Sequence, residues 1–169
     1  MAEPQDNLDL LDRILTKNLT WIGGADTKGT ILFGINSAML GVLAALVPSV
    51  DAWSIPAAVF AALAALSLAS STIFVVCAAF PRLKGPRTSL VYFGGIASHD
   101  EEQYVSKILD GVTHEILTDF ARQCHRNAEI AKTKYDLISK AVVCTFLALI
   151  PWLVAIWLMY QLKFPTASL

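Results

Sequence analysis

The sequence predicts an all-α membrane protein with three transmembrane helices and a cytoplasmic helical layer, in which the last span continues a long cytoplasmic helix. Of the 169 residues, 55% are hydrophobic and only 16% are charged, a balance that is unusual for a soluble domain. The charged residues leave three apolar stretches, each longer than the roughly 18–20 residues that cross a hydrocarbon core. The predicted spans are residues 29–50, 56–80 and 141–161, with a short external turn at 51–55.

The distribution of lysine and arginine predicts the orientation of these spans, because cytoplasmic segments retain such residues. Three of them lie in residues 1–28 and nine in residues 81–140, whereas the 51–55 turn has none and the tail 162–169 has only Lys163. We therefore expect a cytoplasmic N-terminus and an external C-terminus. The acidic, amphipathic start does not resemble a cleaved secretory signal, so we expect the mature chain to begin near Met1.

Before the first span, residues 7–22 place leucine and isoleucine at steps of three and four, with charged residues on the other face. This pattern predicts a cytoplasmic amphipathic helix that packs on its neighbour. Gly23 and Gly24 follow and predict a flexible hinge before the membrane. Asp26 and Lys28 are the last charged residues before the first predicted span, at the end of the segment 1–28. Lys28 is placed to reach the lipid headgroups, and Asp26 lies at a helix start, where negative charge is favourable.

Small residues in the first two spans predict close helix packing, because small side chains let helix backbones approach each other in lipid. Asn36 is the only carboxamide in the first span. A structural hydrogen bond to another helix is favoured over a pore-lining role, since a buried amide needs a partner. Pro56 suits the first turn of the second span. The small residues predicted to pack are Gly34, Ser37 and Gly41 in the first span and Ala61, Ala65 and Ala69 in the second.

Proline and glycine predict a linker at 81–98, followed by a cytoplasmic helix over 99–140. Ser98 and Glu101 have the spacing of a capping box. An apolar stripe then continues without proline as far as Pro151, which predicts one helix of about 60 residues that includes the last span. A stripe of this length needs a partner, and self-association is one way to cover it.

Nothing in the sequence predicts catalysis or a metal site. No Walker A, GxSxG, HExxH or Rossmann glycine motif occurs, and His125 with Glu129 lacks a third ligand in register. The three cysteines are isolated and are read as buried thiols. Arg82, Lys84 and Arg87 follow the second span. They are explained by the positive-inside rule, or additionally by contact with an anionic lipid or a phosphate-bearing ligand.

Several short motifs, in order, resemble the membrane effectors of the Pycsar antiphage systems. They are "WIGGADTKGTILFGIN", "FPRL", "LVYFGGIA" followed by "EEQY", and "AKTKYDLISKA", and the resemblance covers residues 8–160. The positions that match the family pattern are Asp26, Lys28, Pro81, Arg82, Tyr92, Phe93, Gly94, Glu102, Tyr104, Lys134 and Tyr135.

The resemblance implies a non-enzymatic effector at the bacterial inner membrane. Its implied partner is a pyrimidine nucleotide cyclase, whose product, cyclic UMP or cyclic CMP, activates the effector to impair the membrane and kill the infected cell. The standard β-roll that binds cyclic nucleotides is missing from the sequence. A phosphate needs cations or helix amides and a base needs an aromatic ring, so the expected ligand cluster is Arg82, Arg87, Tyr92, Phe93 and Ser98.

Two alternatives stay open at this point. One is a structural or scaffold membrane protein whose cytoplasmic helices form an oligomerisation module. The other is a small transporter or enzyme, which is disfavoured because the spans hold no ionisable residue. For Asp26 and Lys28, a plain collar at the membrane surface competes with a role in coupling ligand binding to movement of the spans.

Overall fold

The computed structural model describes residues 4–81, 85–110 and 113–164. It confirms the all-α fold class, since every regular element in these ranges is helical. Three of the helices are long and apolar enough to cross a membrane. The elements are α1 (Pro4–Ala45), a 3₁₀ turn (Val50–Ala52), α2 (Ile55–Ala79), α3 (Phe93–Ile96), α4 (Glu101–Asp110) and α5 (Thr113–Lys163).

The helix α1 is continuous where the sequence predicted two helices joined at a glycine hinge. Gly23 and Gly24 lie in its interior, and no described glycine has a positive φ. Glycine costs a helix only about 1 kcal/mol relative to alanine, which the surrounding 42-residue helix absorbs. No helix boundary therefore separates residues 1–28 from 29–50. A role of the two glycines in movement stays a prediction.

The last span continues a long helix, as predicted. α5 has 51 residues, includes Pro151 and begins at Thr113, whereas α4 is a separate element. Residues 111–112 lie outside the described residues. The capping box at Ser98 was wrong. α4 begins at Glu101, and the Ser98 hydroxyl lies 2.7 Å from the carbonyl oxygens of both Arg87 and Gly95, to which it donates.

The chain divides into two compact units. One unit, formed by residues 26–79 and 135–169, contains the apolar segments and is called the membrane unit. In it α1 and α5 run parallel, because their contacts advance together along both helices. α2 runs antiparallel to them, since a Cβ on Gly29 would meet Val75 while Asn36 meets Ser71. The contacts between α1 and α5 join Gly29 to Ile138, Asn36 to Thr145, Met39 to Trp152 and Ala45 to Lys163.

Asn36 lies at the centre of this unit and is fully buried. Its Nδ2 donates to Ser71 Oγ on α2 at 2.8 Å, and its Oδ1 accepts from Thr145 Oγ1 on α5 at 3.0 Å. Ser71 Oγ in turn lies 2.8 Å from the carbonyl oxygen of Ala141. The carboxamide therefore makes the structural hydrogen bond that the sequence favoured, and it joins all three long helices in one polar layer.

The small residues that pack inside this unit differ from the predicted set. Gly34, Ser37, Gly41 and Ala69 are exposed, Ala61 and Ala65 are half-buried, and a Cβ on Gly34 or Gly41 would meet nothing within 4 Å. Packing of these residues against another copy stays a prediction. The close approach lies instead at Gly29, where a Cβ would be 3.2 Å from Ile138 Cδ1. The buried small residues repeat every seven positions, as Ala57, Ala64, Ser71 and Ala78 in α2 and Ala141, Ala148 and Ala155 in α5.

We predict that Asn36→Ala destabilises the membrane unit by about 1–3 kcal/mol, because it removes two buried hydrogen bonds and leaves a cavity. Thermal unfolding of the purified chain in detergent measures the change. Ser37→Ala is the matched control, since Ser37 is adjacent but exposed. Equal melting temperatures for the two variants would contradict the role of the polar layer.

Gly29→Val is expected to destabilise the chain by about 1–3 kcal/mol through overpacking against Ile138 and Val75. A side chain at Gly34 would meet no atom within 4 Å in the chain, so the Gly34→Val variant should melt at the temperature of the unmodified protein. The same detergent melts compare the two. A loss confined to Gly34→Val would show that the predicted contact between copies outweighs the contact inside the chain.

Candidate ligand-binding pocket

In the other unit, formed by residues 1–25 and 80–134, the first part of α1 packs on the first part of α5. Asn18 Nδ2 donates to the carbonyl oxygen of Cys124 at 2.8 Å, and Cys124 Sγ donates to the carbonyl oxygen of Leu11 at 3.3 Å. Burial, and to a lesser extent the Asp12 carboxylate, raise the pKa of the Cys124 thiol, which lies outside the apolar segment 141–161. The thiol therefore keeps the proton that it donates, and the two helices are held side by side.

A turn at residues 89–91 is fixed on α5 by one carboxylate. Asp119 Oδ2 accepts from Ser89 Oγ at 2.9 Å and from the amides of Leu90 at 2.8 Å and Val91 at 3.2 Å. Tyr104 of α4 donates its hydroxyl to the carbonyl oxygen of Leu90 at 3.3 Å. Hydrogen bonds to a charged acceptor are stronger than neutral ones. The Asp119 contacts therefore set the position of the aromatic residues that follow the turn.

The glycines of the "YFGG" motif are required by close packing. The Tyr92 ring lies where a Cβ on Gly85 would be, and a Cβ on Gly94 would lie 2.6 Å from it. A Cβ on Gly95 would overlap the carbonyl oxygen of Ser89. Tyr92 is accordingly buried, whereas Phe93 is 63% exposed at the start of α3. The motif thus produces one fixed aromatic ring and one presented ring, with centroids 4.7 Å apart.

These elements enclose a pocket of about 300 Å³, at the lower end of the range for small-molecule sites. One wall consists of apolar residues from α1 and of the two aromatic rings, and the other is the face of α5 that carries Gln123, Arg126 and Asn127. The Nη1 of Arg126 is buried, and it has no hydrogen-bond partner among the residues that the structure describes. The lining residues are Leu15, Leu19, Val91, Tyr92, Phe93, Gln123, Arg126, Asn127 and Ile130.

The structure brings only part of the predicted ligand cluster to this pocket. Tyr92 and Phe93 line it. Arg87 and Ser98 do not, and both are exposed. Arg82 lies outside the described residues. Glu101 and Glu102 occupy the first turn of α4, where their charge disfavours an anion at the helix start near Ser98.

Sequence reasoning missed the three polar residues of α5 that face the pocket. Within the described ranges the structure shows no ion pair for Arg126. A usable signal was present, because Gln123, Arg126, Asn127 and Ile130 are spaced three, four and seven residues from the first and so share one helix face.

The positions predicted to couple binding to movement lie at the start of the membrane unit. Lys28 Nζ lies 5.0 Å from the ring centroid of Tyr135, within range of a cation–π interaction. The carbonyl oxygen of Asp26 accepts from Thr30 Oγ1 at 3.0 Å. Lys28 and Tyr135 both belong to the family-pattern positions, so the motifs "GADTKG" and "AKTKY" meet through this contact.

The His125 and Glu129 pair matches a solvated helix surface. His125 Nδ1 lies 3.8 Å from Glu129 Oε2, with both side chains more than two-thirds exposed. Within the described ranges no group of three potential metal ligands occurs.

Together these features define a class of protein: a helical membrane protein with three candidate spans, whose other unit carries a small, mostly apolar pocket with three polar residues on one side. A family model described as the Pycsar effector protein domain matches residues 10–161. The chain therefore belongs to the Pycsar effector family. The Pycsar effector protein PtPycTM of Propioniciclava tarda is 26% identical over 144 residues, which cover 77% of this chain and 69% of that protein. No solved structure matches the chain.

Asp119→Ala should release the 89–91 turn, because three hydrogen bonds to its carboxylate are lost. We expect amide exchange at Leu90 and Val91 to accelerate by about tenfold or more, the equivalent of at least 1.4 kcal/mol. Hydrogen–deuterium exchange with mass spectrometry measures it. Asp110→Ala is the control, since the bond that Asp110 accepts from Ser106 is exposed. Unchanged protection in the Asp119 variant would contradict the assignment.

Proposed function

We propose that this chain is a non-enzymatic effector of bacterial antiphage defence that is activated by cyclic UMP or cyclic CMP. A partner pyrimidine nucleotide cyclase makes the ligand on infection. The activated effector then impairs the inner membrane and the infected cell dies. The proposed orientation has a cytoplasmic N-terminus and an external C-terminus, which follows from the lysine and arginine distribution.

The observation that carries this proposal is the continuity of two helices. α1 and α5 each line the pocket with their first part, and each continues without interruption into an apolar segment long enough to cross a membrane. A ligand held between them acts on the same helices that enter the bilayer. This supports direct signalling from ligand to membrane within one chain.

The composition of the spans supports membrane impairment over selective transport. Residues 29–50, 56–80 and 141–161 contain no Asp, Glu, Lys, Arg or His, and ion or proton pathways normally use such groups. Only 17–22% of the three apolar windows is buried inside the chain. The rest is available to lipid and to other copies, which supports a homo-oligomer as the active form.

A coupling element is also available at the membrane unit's start. Asp26, Lys28 and the Gly23–Gly24 pair lie in α1 next to the Lys28–Tyr135 contact. A ligand shifts an equilibrium only by its differential affinity for two states. Breaking or strengthening a cation–π contact of about 0.5–2 kcal/mol is a suitable local difference between such states.

We expect bacteria that express the chain with an active pyrimidine cyclase to lose membrane potential, and bacteria with a catalytically inactive cyclase to keep it. A potential-sensitive dye measures this in cells. Dye release from vesicles containing the purified chain, with cyclic UMP or cyclic CMP added, measures it without other proteins. Depolarisation that is absent, or that occurs equally with the inactive cyclase, would overturn the proposal. Insertion without any depolarisation would favour the scaffold alternative.

A further inference from the structure

We propose that the pocket between α1, the 91–93 segment and α5 is the ligand site, and that Arg126 binds the phosphate of the ligand. The identity of the ligand as a cyclic pyrimidine nucleotide rests on the proposed function. The location of the site and the role of each residue rest on the pocket itself. None of the three polar residues that this site uses belongs to the cluster predicted from the sequence.

Arg126 provides the first argument. A guanidinium carries only hydrogen-bond donors, and buried polar groups in native proteins nearly always have a hydrogen-bond partner. The Nη1 of Arg126 is buried, lacks such a partner in the described part of the chain, and belongs to a residue that lines the pocket. An anion in the pocket supplies the missing acceptors, and a phosphate suits the planar fork of an arginine.

The charge of the surrounding residues selects this pocket over its neighbours. Among the described residues that line it, Arg126 is the only charged one. A second cavity near Thr88 is lined by Glu115 and Asp119 beside His114 and Arg122, and a third by Asp110 and Glu115 beside Lys107. Two carboxylates at close range repel a phosphate. The Arg126 pocket is therefore the one of the three with a net attraction for an anion.

The aromatic wall suits a flat ring. Phe93 is largely exposed and borders the pocket, while Tyr92 is held behind it by the glycines on either side. Nucleic-acid bases stack on such presented rings with little dependence on base identity. Phe93 therefore supplies affinity for the base, and the buried Tyr92 keeps Phe93 in position.

Gln123 and Asn127 give the pocket the means to read the edge of the base. Gln123 Nε2 donates to Asn127 Oδ1 at 3.4 Å, a long bond that a ligand can replace. A carboxamide offers both a donor and an acceptor, and its two ends exchange by rotation. It can thus match the edge of uracil or that of cytosine.

Binding of labelled cyclic UMP and cyclic CMP to the full chain in detergent tests the proposal. We expect Arg126→Gln and Phe93→Leu each to weaken binding by about tenfold or more, since each loses a charge-assisted bond or a stacking partner. Arg122→Gln, one turn away and exposed, is the matched control and should bind as the unmodified chain does. Without ligand, Arg126→Gln should melt at the same or a higher temperature, because no internal bond of Nη1 is lost.

The possible outcomes separate the site from the function. If the unmodified chain binds neither nucleotide, both proposals fail. If it binds and the two variants bind equally well, or Arg122→Gln loses as much, only the site is overturned. Should Arg126→Gln not fold, Phe93→Leu decides, since Phe93 is largely exposed. Inorganic phosphate and phosphatidylglycerol in mixed micelles are the competing ligands. If either displaces the labelled nucleotide as well as the unlabelled nucleotide does, the roles of Phe93 and Gln123 are overturned.

Discussion

The structure depends on the need to satisfy polar groups where no water is available. In the membrane unit Asn36 meets this need, because it forms hydrogen bonds with Ser71 and Thr145. Each of the three long helices thus contributes one side chain to a single polar layer. A shift of any helix by one residue would leave a carboxamide or a hydroxyl unpaired in hydrocarbon, which costs several kcal/mol. The polar layer therefore fixes the register of α1, α2 and α5, and the apolar contacts on either side of it pack in that register.

That register shows in a seven-residue repeat of buried positions. A repeat of seven, rather than of 3.6, is the pattern of helices that pack side by side along their length. Polar residues occupy some of these positions in both units, and such residues define which positions face each other. The buried positions in α1 are Asn18, Ala25 and Met39 with Gly29, Asn36 and Leu43. In α2 they are Ala57, Ala64, Ser71 and Ala78 with Leu68 and Val75. In α5 they are Cys124, Ala131, Ile138 and Met159 with Asn127, Lys134, Ala141, Ala148 and Ala155.

The sequence predicted the features that depend on composition over many residues, and it missed the features that depend on a single tertiary contact. Three uncharged stretches were enough to predict three spans, because crossing a bilayer requires length and composition alone. The helix boundary expected at the glycine pair is absent from α1, since a local preference of about 1 kcal/mol per residue does not outweigh a long helix. The bond of Asp119 to a turn 28 to 30 residues away has no local signal at all.

Continuity of α1 and α5 limits how a ligand can act on the membrane. An α-helix transmits displacement along its length because its hydrogen bonds hold each turn to the next. At the proposed site a ligand between Phe93 and Arg126 would contact α5 from one side, and Asn18 joins α1 to α5. A coupling energy of about 1–3 kcal/mol is typical of such links. The polar layer at Asn36 resists separation of the three helices from one another. The change that costs least is therefore one that moves the three helices as a group against lipid or another copy, rather than one that opens a path between them.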